Sequence, residues 1–417
     1  MPDLSRLKPL LRPLDLDYVR RQFPAFAERS LQDQAFFENA GGSYACAPVI
    51  ARLTEYYRRL KVQPYYAHAA STEAGAWMDA SHERLAAYLG VTAGEIHFGP
   101  SSSQNTCVLA QAFRALLRPG DEVIVTGQDH EANVGAWHRL AEHGVTVKEW
   151  AVDRDSGALD PARLDALLTD RTRLLAVTHC SNVVAHINPV AAFAAQARAA
   201  GAVTVVDGVA FAPHGLPDVR ALGADVYLLS LYKTYGPHQG LMVVQQNLLE
   251  RLGHQGHSFL AGQPRKRLVP AGPDHAQVAA ARGVAEYFDG LDAHHGGGDP
   301  AGRPQRVREL MRGAELSLLP RLLGYLAART DVRLLGSVEA SRRAPTVAFV
   351  PRDVAPAEVT ARLAARGIMA GAGHFYAVRL LAAMGVDPAR GAVRLSFVHY
   401  NSPAEMDQLL AALDAAL

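Results

Sequence analysis

Seven short apolar runs, each bounded by turn residues, recur between residues 96 and 245. They are Ile96–Phe98, Val123–Gly127, Val145–Trp150, Leu174–His179, Val203–Val206, Val226–Leu231 and Gly240–Gln245. Most are rich in Val, Leu and Ile and lack alternating polar positions, as strands covered on both faces do. Stretches with helical spacing of apolar residues accompany them: Pro48–Leu60, Glu73–Leu89, Cys107–Leu117, Asn133–His143 and Val190–Ala200. Strands separated by helices of this length predict right-handed βαβ units and a mostly parallel sheet with helices on both faces.

Ahead of this pattern, Pro2 to about Ser30 reads as an arm with a short helix at Leu16–Phe23. Phe36–Ser43, FFENAGGS, reads as a short strand breaking into a glycine loop, and Val62–Thr72 as irregular. The composition changes at Asp292–Pro304, DAHHGGGDPAGRP, which reads as a linker with His294 and His295 solvated. Beyond it come a long helix (Arg306–Thr330), strands near Val332–Leu335 and Thr346–Phe349, a helix at Ala357–Arg366, and VRLSFVHYN. The predicted organisation is an arm (1–30), a large α/β domain (31–291) and a small α+β domain (292–417).

Length and charge narrow the function. A chain of 417 residues buries a large core and suits two domains. With 42 basic and 41 acidic residues, the net charge of +1 offers nothing to nucleic acid or an anionic membrane. Three cysteines are too few for a disulfide framework, and their spacing suits no zinc site. No apolar run approaches the ~20 residues of a membrane span, and the first residues lack a signal-peptide core. A soluble cytoplasmic protein is expected.

In parallel sheets the chemistry sits at the carboxyl ends of the strands. There the run Val203–Val206 delivers Asp207, and the run Val226–Leu231 delivers Tyr232 and Lys233. A lysine ending a buried strand is poorly solvated, which lowers its pKa and favours imine formation. Lysine plus a carboxylate is the pair that pyridoxal 5'-phosphate (PLP) needs, one for the imine and one for the ring nitrogen. Either residue alone has a plainer reading, as a helix cap or a surface charge.

Other residues fall at the same edge. Ser101–Ser103 precede an apolar helix, where hydroxyls and free N–H groups suit either an N-cap or a phosphate. His130 follows one strand and Asn182 another. Arg394 lies in an apolar run and needs an anionic partner, either a substrate carboxylate or a structural Asp or Glu. Tyr65, Tyr66 and His68 line a pocket or pack on the neighbouring helix. Cys107 reads as core, and Cys46 and Cys180 read as structural thiols, either of which could approach the same edge.

The ordered motifs SSSQN, DHEAN, THCSN, VVDGVAFAPHG and SLYKTYGPH resemble the class V aminotransferases of PLP fold type I. They are most similar to the cysteine desulfurase-like and selenocysteine lyase-like branch, from about Phe36 to the C-terminus. The resemblance implies a large domain with a mostly parallel seven-stranded sheet, a small α+β C-terminal domain and a homodimer. In that dimer the Leu268–Asp274 loop would reach the neighbouring subunit. Lys233 would carry the Schiff base, Asp207 meet the pyridinium nitrogen and His130 stack on the ring. Ser102, Ser103 and Ser230 would hold phosphate, joined by Tyr232, which stands where the family commonly has His. Asn182 would touch the cofactor's phenolic side or the substrate, and Arg394 the substrate carboxylate.

Three departures qualify this. Ala210 replaces a glutamine, Ala271–Gly272 replaces a Gly-Thr pair, and Tyr376 stands where desulfurases place their persulfide-forming cysteine. Tyrosine cannot accept sulfane sulfur. The expected activity is therefore carbon–sulfur β-elimination on a cysteine-like amino acid, with Tyr376 as an acid toward the leaving group. Alternatives are an aminotransferase, a desulfurase using another cysteine, a PLP-binding protein without turnover, and a nucleotide-binding α/β protein.

Overall fold

The computed structural model describes residues 13–417. Thirteen strands follow in chain order: β1 (Ala35–Phe36), β2 (Ile96–Gly99), β3 (Glu122–Thr126), β4 (Thr146–Trp150), β5 (Thr172–Thr178), β6 (Val203–Asp207), β7 (Val226–Ser230), β8 (Gly240–Val244), β9 (Val332–Leu335), β10 (Thr346–Pro351), β11 (Ile368–Met369), β12 (Gly371–Gly373) and β13 (Ala392–Ser396). Seven form the large sheet, in the order β2-β8-β7-β6-β5-β3-β4. Strands β3 to β7 are parallel, and β8 and β2 close one edge with antiparallel pairings. The mostly parallel seven-stranded expectation holds.

Strand burial explains why these runs read as continuous apolar segments. Leu174, Ala176 and Val205 face one core, while Leu175, Val177 and Val206 face the other. Successive side chains alternate between two covered faces. Each fully buried Val or Leu contributes about 1.5–3 kcal/mol relative to exposure. The chain leaves β3 for β4 on one side and returns to β5 on the other. That reversal opens a crevice at the carboxyl ends, where ligands bind in open α/β sheets.

A second, antiparallel sheet has the order β12-β13-β10-β9. Its core includes Leu319, Leu323, Leu363 and Leu409 from three helices, Arg303–Ala327, Pro356–Ala364 and Pro403–Ala416. The N-terminal strand β1 pairs in parallel with β11, and Glu38 bridges to Ser396 at the end of β13. Residues on either side of the large sheet in sequence therefore lie side by side.

Two expectations need correction. Residues 292–294 belong to the helix Arg282–His294, and Asp292 is buried between Arg303 and Arg306. His294 is exposed but ends this helix rather than lying in a linker, and His295 is half-buried. His294 stacks on Tyr18 with centroids 3.8 Å apart and meets Asp15 Oδ2 at 2.9 Å, and His295 Nε2 accepts the Asp15 N–H at 2.8 Å. They dock the short helix Leu16–Arg21, which buries Val19. Cys107 is exposed rather than core. In the helix Ser102–Phe113, Asn105, Thr106, Leu109 and Ala110 take the buried face, and helical spacing turns 107 outward with 103, 104 and 111. No helix among the described residues is long and apolar enough to cross a membrane.

Candidate active site

Strand β7 ends at Ser230, and one 3-10 turn, Leu231–Lys233, carries the lysine. Lys233 is 9% exposed. Burial, reinforced by the Arg394 guanidinium, pushes its pKa down to about 8, with Asp207 and Glu38 opposing. Asp207 ends the neighbouring strand β6, and burial raises its pKa against the Val209 N–H, 2.8 Å from Oδ1, and the Lys233 charge. A buried carboxyl with a single N–H donor gains from any cationic N–H that enters. The buried Asp129 is held by Thr126 Oγ1 and by Asn133 Nδ2 at 2.9 Å. Burial, with the Asp207 charge adding, pushes Asp129 up to about 7.

Across the pocket, Ser101 caps the helix Ser102–Phe113 by accepting the Gln104 N–H at 3.2 Å. The free N–H groups of that first turn and the helix dipole suit an anion. Ser102 Oγ lies 3.0 Å from Ser230 Oγ. A Cβ at Gly240, the first residue of β8, would collide with the Ser101–Ser102 backbone. Glycine there lets the helix N-terminus seat on the strand edge. Tyr232 stacks on His238, centroids 4.6 Å apart, and lines the same pocket. The pocket brings together Ser102, Ser103, His130, Asn182, Asp207 and Lys233.

His130 follows β3 and caps the helix Glu131–His138, its Nδ1 accepting the Ala132 N–H at 3.0 Å. Burial, then the Lys233 and Arg394 charges, pushes its pKa down to about 4, so the ring is neutral at neutral pH. The Tyr376 ring lies 5.1 Å from it. Tyr376 itself is 65% exposed, at the pocket mouth rather than inside. Phe375 and Tyr376 both have left-handed backbones, φ 49° and 56°, which costs on the order of 1–3 kcal/mol per residue. The loop is held from both sides: the Phe375 carbonyl accepts Asn182 Nδ2, and the Tyr376 carbonyl accepts the Glu131 N–H, each at 2.8 Å. A carbonyl partner fixes which way the Asn182 amide points. Its Oδ1 stays buried without a donor.

Arg394, on β13, is 5% exposed. Of the two partners open to it, the protein supplies the carboxylate: Nη2 donates to Glu38 Oε1 at 2.9 Å. Nη1 reaches the Asn182 carbonyl at 3.3 Å, and the guanidinium lies 4.1 Å from the Phe375 ring centroid. Glu38, in the turn after Phe36–Phe37, carried no signal as a partner. Asp129 was likewise overlooked.

Of the remaining sequence candidates, Cys180 lines the same pocket and the others lie elsewhere. Tyr65 and Tyr66 are exposed, and His68 caps the helix Ala69–Leu89. Burial pushes the Cys46 and Cys180 thiols up to about 12, and Cys180 Sγ donates to the Ala185 carbonyl at 3.3 Å. Cys107 lines a separate groove with His238 and Leu268. Among the described residues no cysteine presents an activated thiol to the Lys233 pocket.

A buried lysine and a buried carboxylate at adjacent strand ends, facing a serine-bearing helix N-terminus, define an α/β enzyme of the fold-type I class. The chain belongs to the class-V aminotransferase family, whose sequence model matches residues 35–263 and 308–409. It is 36% identical over 415 residues to the aminotransferase-like protein FGM3 of Gibberella zeae, covering 96% of this chain and 98% of that one. It is 31% identical over 416 residues to a cysteine desulfurase of Serratia proteamaculans, covering 95% and 97%. The crystal structure of the Escherichia coli cysteine desulfurase CsdA superposes with a TM-score of 0.82 at 25% identity, covering 97% and 99%. The family is PLP-dependent, and the chain falls in its cysteine desulfurase-like branch.

Proposed function

We propose that the chain is a PLP-dependent lyase that eliminates the β-substituent of a cysteine-like amino acid. The observation that carries this is the pairing of a complete lysine pocket with Tyr376 in place of a thiol. The pocket fits the cofactor: Lys233 offers an amine that is half-neutral near pH 8, and Asp207 a buried carboxyl with one N–H donor. Gly240 lets the helix N-terminus seat against β8, and Ser102 and Ser103 line the pocket there as a phosphate cradle.

When bound, the cofactor would supply an electron sink for the carbanion left by loss of the α-proton. Lys233 would hold it and then move the proton at the substrate's α-carbon. Asp207 would keep a proton on the ring nitrogen. His130, neutral, would pack on the ring without adding charge. Ser102, Ser103, Ser230 and Tyr232 would hold the phosphate. Asn182 Oδ1, an acceptor without a partner, would take a donor from cofactor or substrate, and Arg394 would hold the substrate carboxylate. Tyr376 would give a proton to the leaving sulfur.

The test is incubation with L-cysteine and S-substituted cysteines, with and without a keto acid. Pyruvate and ammonia formed without keto acid are expected. Amino transfer that requires the keto acid would favour an aminotransferase, the reading the FGM3 likeness supports. Alanine formation with a persulfide on Cys46, Cys107 or Cys180 would overturn the reading of Tyr376.

Part of the same proposal is a cytoplasmic enzyme with the organisation 1–30, 31–291 and 292–417, acting as a homodimer. The unpaired cysteines suit a reducing compartment. Exposed Tyr65, Tyr66 and Phe259, and the groove lined by Leu268–Asp274, support a partner-covered face. Sedimentation at assay concentration should give a dimer, and an active monomer would end the idea.

A further inference from the structure

A carboxylate held by two prongs needs two adjacent N–H groups of a guanidinium. Both available forks, side-on through Nε and Nη2 and end-on through Nη1 and Nη2, include Nη2. In Arg394 that nitrogen already donates to Glu38 Oε1 at 2.9 Å. Nη1 is turned to the Asn182 carbonyl at 3.3 Å, and Nε is buried with no partner. Nη2 carries a second N–H, so one fork stays open, but a carboxylate seated in it would share that nitrogen with the like-charged Glu38 carboxylate.

The two partners differ in freedom. The Glu38 side chain is 32% exposed and that of Arg394 6%. Glu38 can retreat into water, whereas Arg394 is fixed by its strand and by Phe375. The inward position of Glu38 is also built in. Its backbone bridges Ser396, two residues beyond Arg394 on β13. Its side chain lies over Gly41, where a Cβ would collide with Oε2.

We infer that Glu38 is a displaceable latch on Arg394, an internal carboxylate that competes with substrate and product for the same guanidinium. This rests on the reading of Arg394 as the substrate-carboxylate residue. A ligand held by its carboxylate alone loses the competition. An amino acid, anchored also through its α-amine at the Lys233 end, wins it. After elimination Lys233 would take back the anchor and free the product as an enamine, which water hydrolyses to keto acid and ammonia; with the amine no longer anchored, the returning Glu38 expels the carboxylate. Glu38 is a specificity-determining residue that selects amino acids over simple carboxylates.

The test measures binding of propionate and propionamide by calorimetry, with the protein as purified. The variants are Glu38→Gln, which removes the competing charge, and Gly41→Ala, which crowds the carboxylate off its seat. In both, the propionate dissociation constant should fall roughly tenfold or more, as for loss of a charge-assisted bond, and propionamide should not change. An unchanged or weaker propionate affinity in Glu38→Gln overturns the latch, as does a lowered melting temperature without a change in affinity. Arg394→Ala separates the premises. If it weakens L-alanine binding while Glu38→Gln leaves propionate unchanged, the latch alone fails. If it leaves propionate binding to Glu38→Gln unaltered, Arg394 is not the carboxylate residue and both fail.

Discussion

Lys233→Ala is expected to lower turnover by on the order of 10³-fold or more, since it removes both the cofactor's anchor and the group that moves the α-proton. The same change should abolish the pyridoxyl adduct that borohydride fixes on the wild-type chain. A folded Lys233→Ala protein that still forms this adduct on another lysine would refute the assignment. The amine's environment gives an independent check. Burial and Arg394 push it down to about 8 from the usual 10.5, so in cofactor-free protein its reaction with an acylating reagent should reach half its maximum near pH 8. A midpoint near 10.5 would mean a solvated surface amine. The stability linkage has a definite sign. Because the folded pKa is lowered, this group costs nothing above 10.5, an increasing amount as pH falls toward 8, and its full penalty below that.

That lysine shows what the sequence makes legible. Strands covered on both faces must be apolar at every position, so the run before Lys233 and the run ending at Asp207 stand out. Their carboxyl ends then share one edge by the rules of parallel sheets. The Arg394 run stood out for the same reason, and its need for an anion followed from desolvation. Its partner did not, because Glu38 lies 356 residues away and reaches it through β1 and β11, strands of only two residues each. Such strands are too short for a periodic signal. Cys107 was misplaced because a twelve-residue helix of small residues shows little contrast between its faces. His294 and His295 read as a linker because their partners, Asp15 and Tyr18, come from the opposite end of the chain. Contacts between distant segments, rather than elements, are what remained hidden.

Asp207→Asn is the complementary experiment, because it changes charge without changing shape. The asparagine carbonyl oxygen can still accept the Val209 N–H that Oδ1 accepts at 2.8 Å, so the turn after β6 should survive. What disappears is the only negative charge placed at the end of β6 to favour a protonated ring nitrogen. Without it the α-carbanion is less well stabilised, and turnover should fall by on the order of 10²-fold. The apparent affinity for amino acids should move little, since Arg394 pairs with Glu38 and not with Asp207. A second readout separates this role from a structural one. Asp207 raises the Lys233 pKa against the lowering by burial, so its neutralisation should move the midpoint of Lys233 acylation below pH 8 in the cofactor-free protein. A variant that turns over within about threefold of wild type, with that midpoint unmoved, would show that Asp207 only caps the turn.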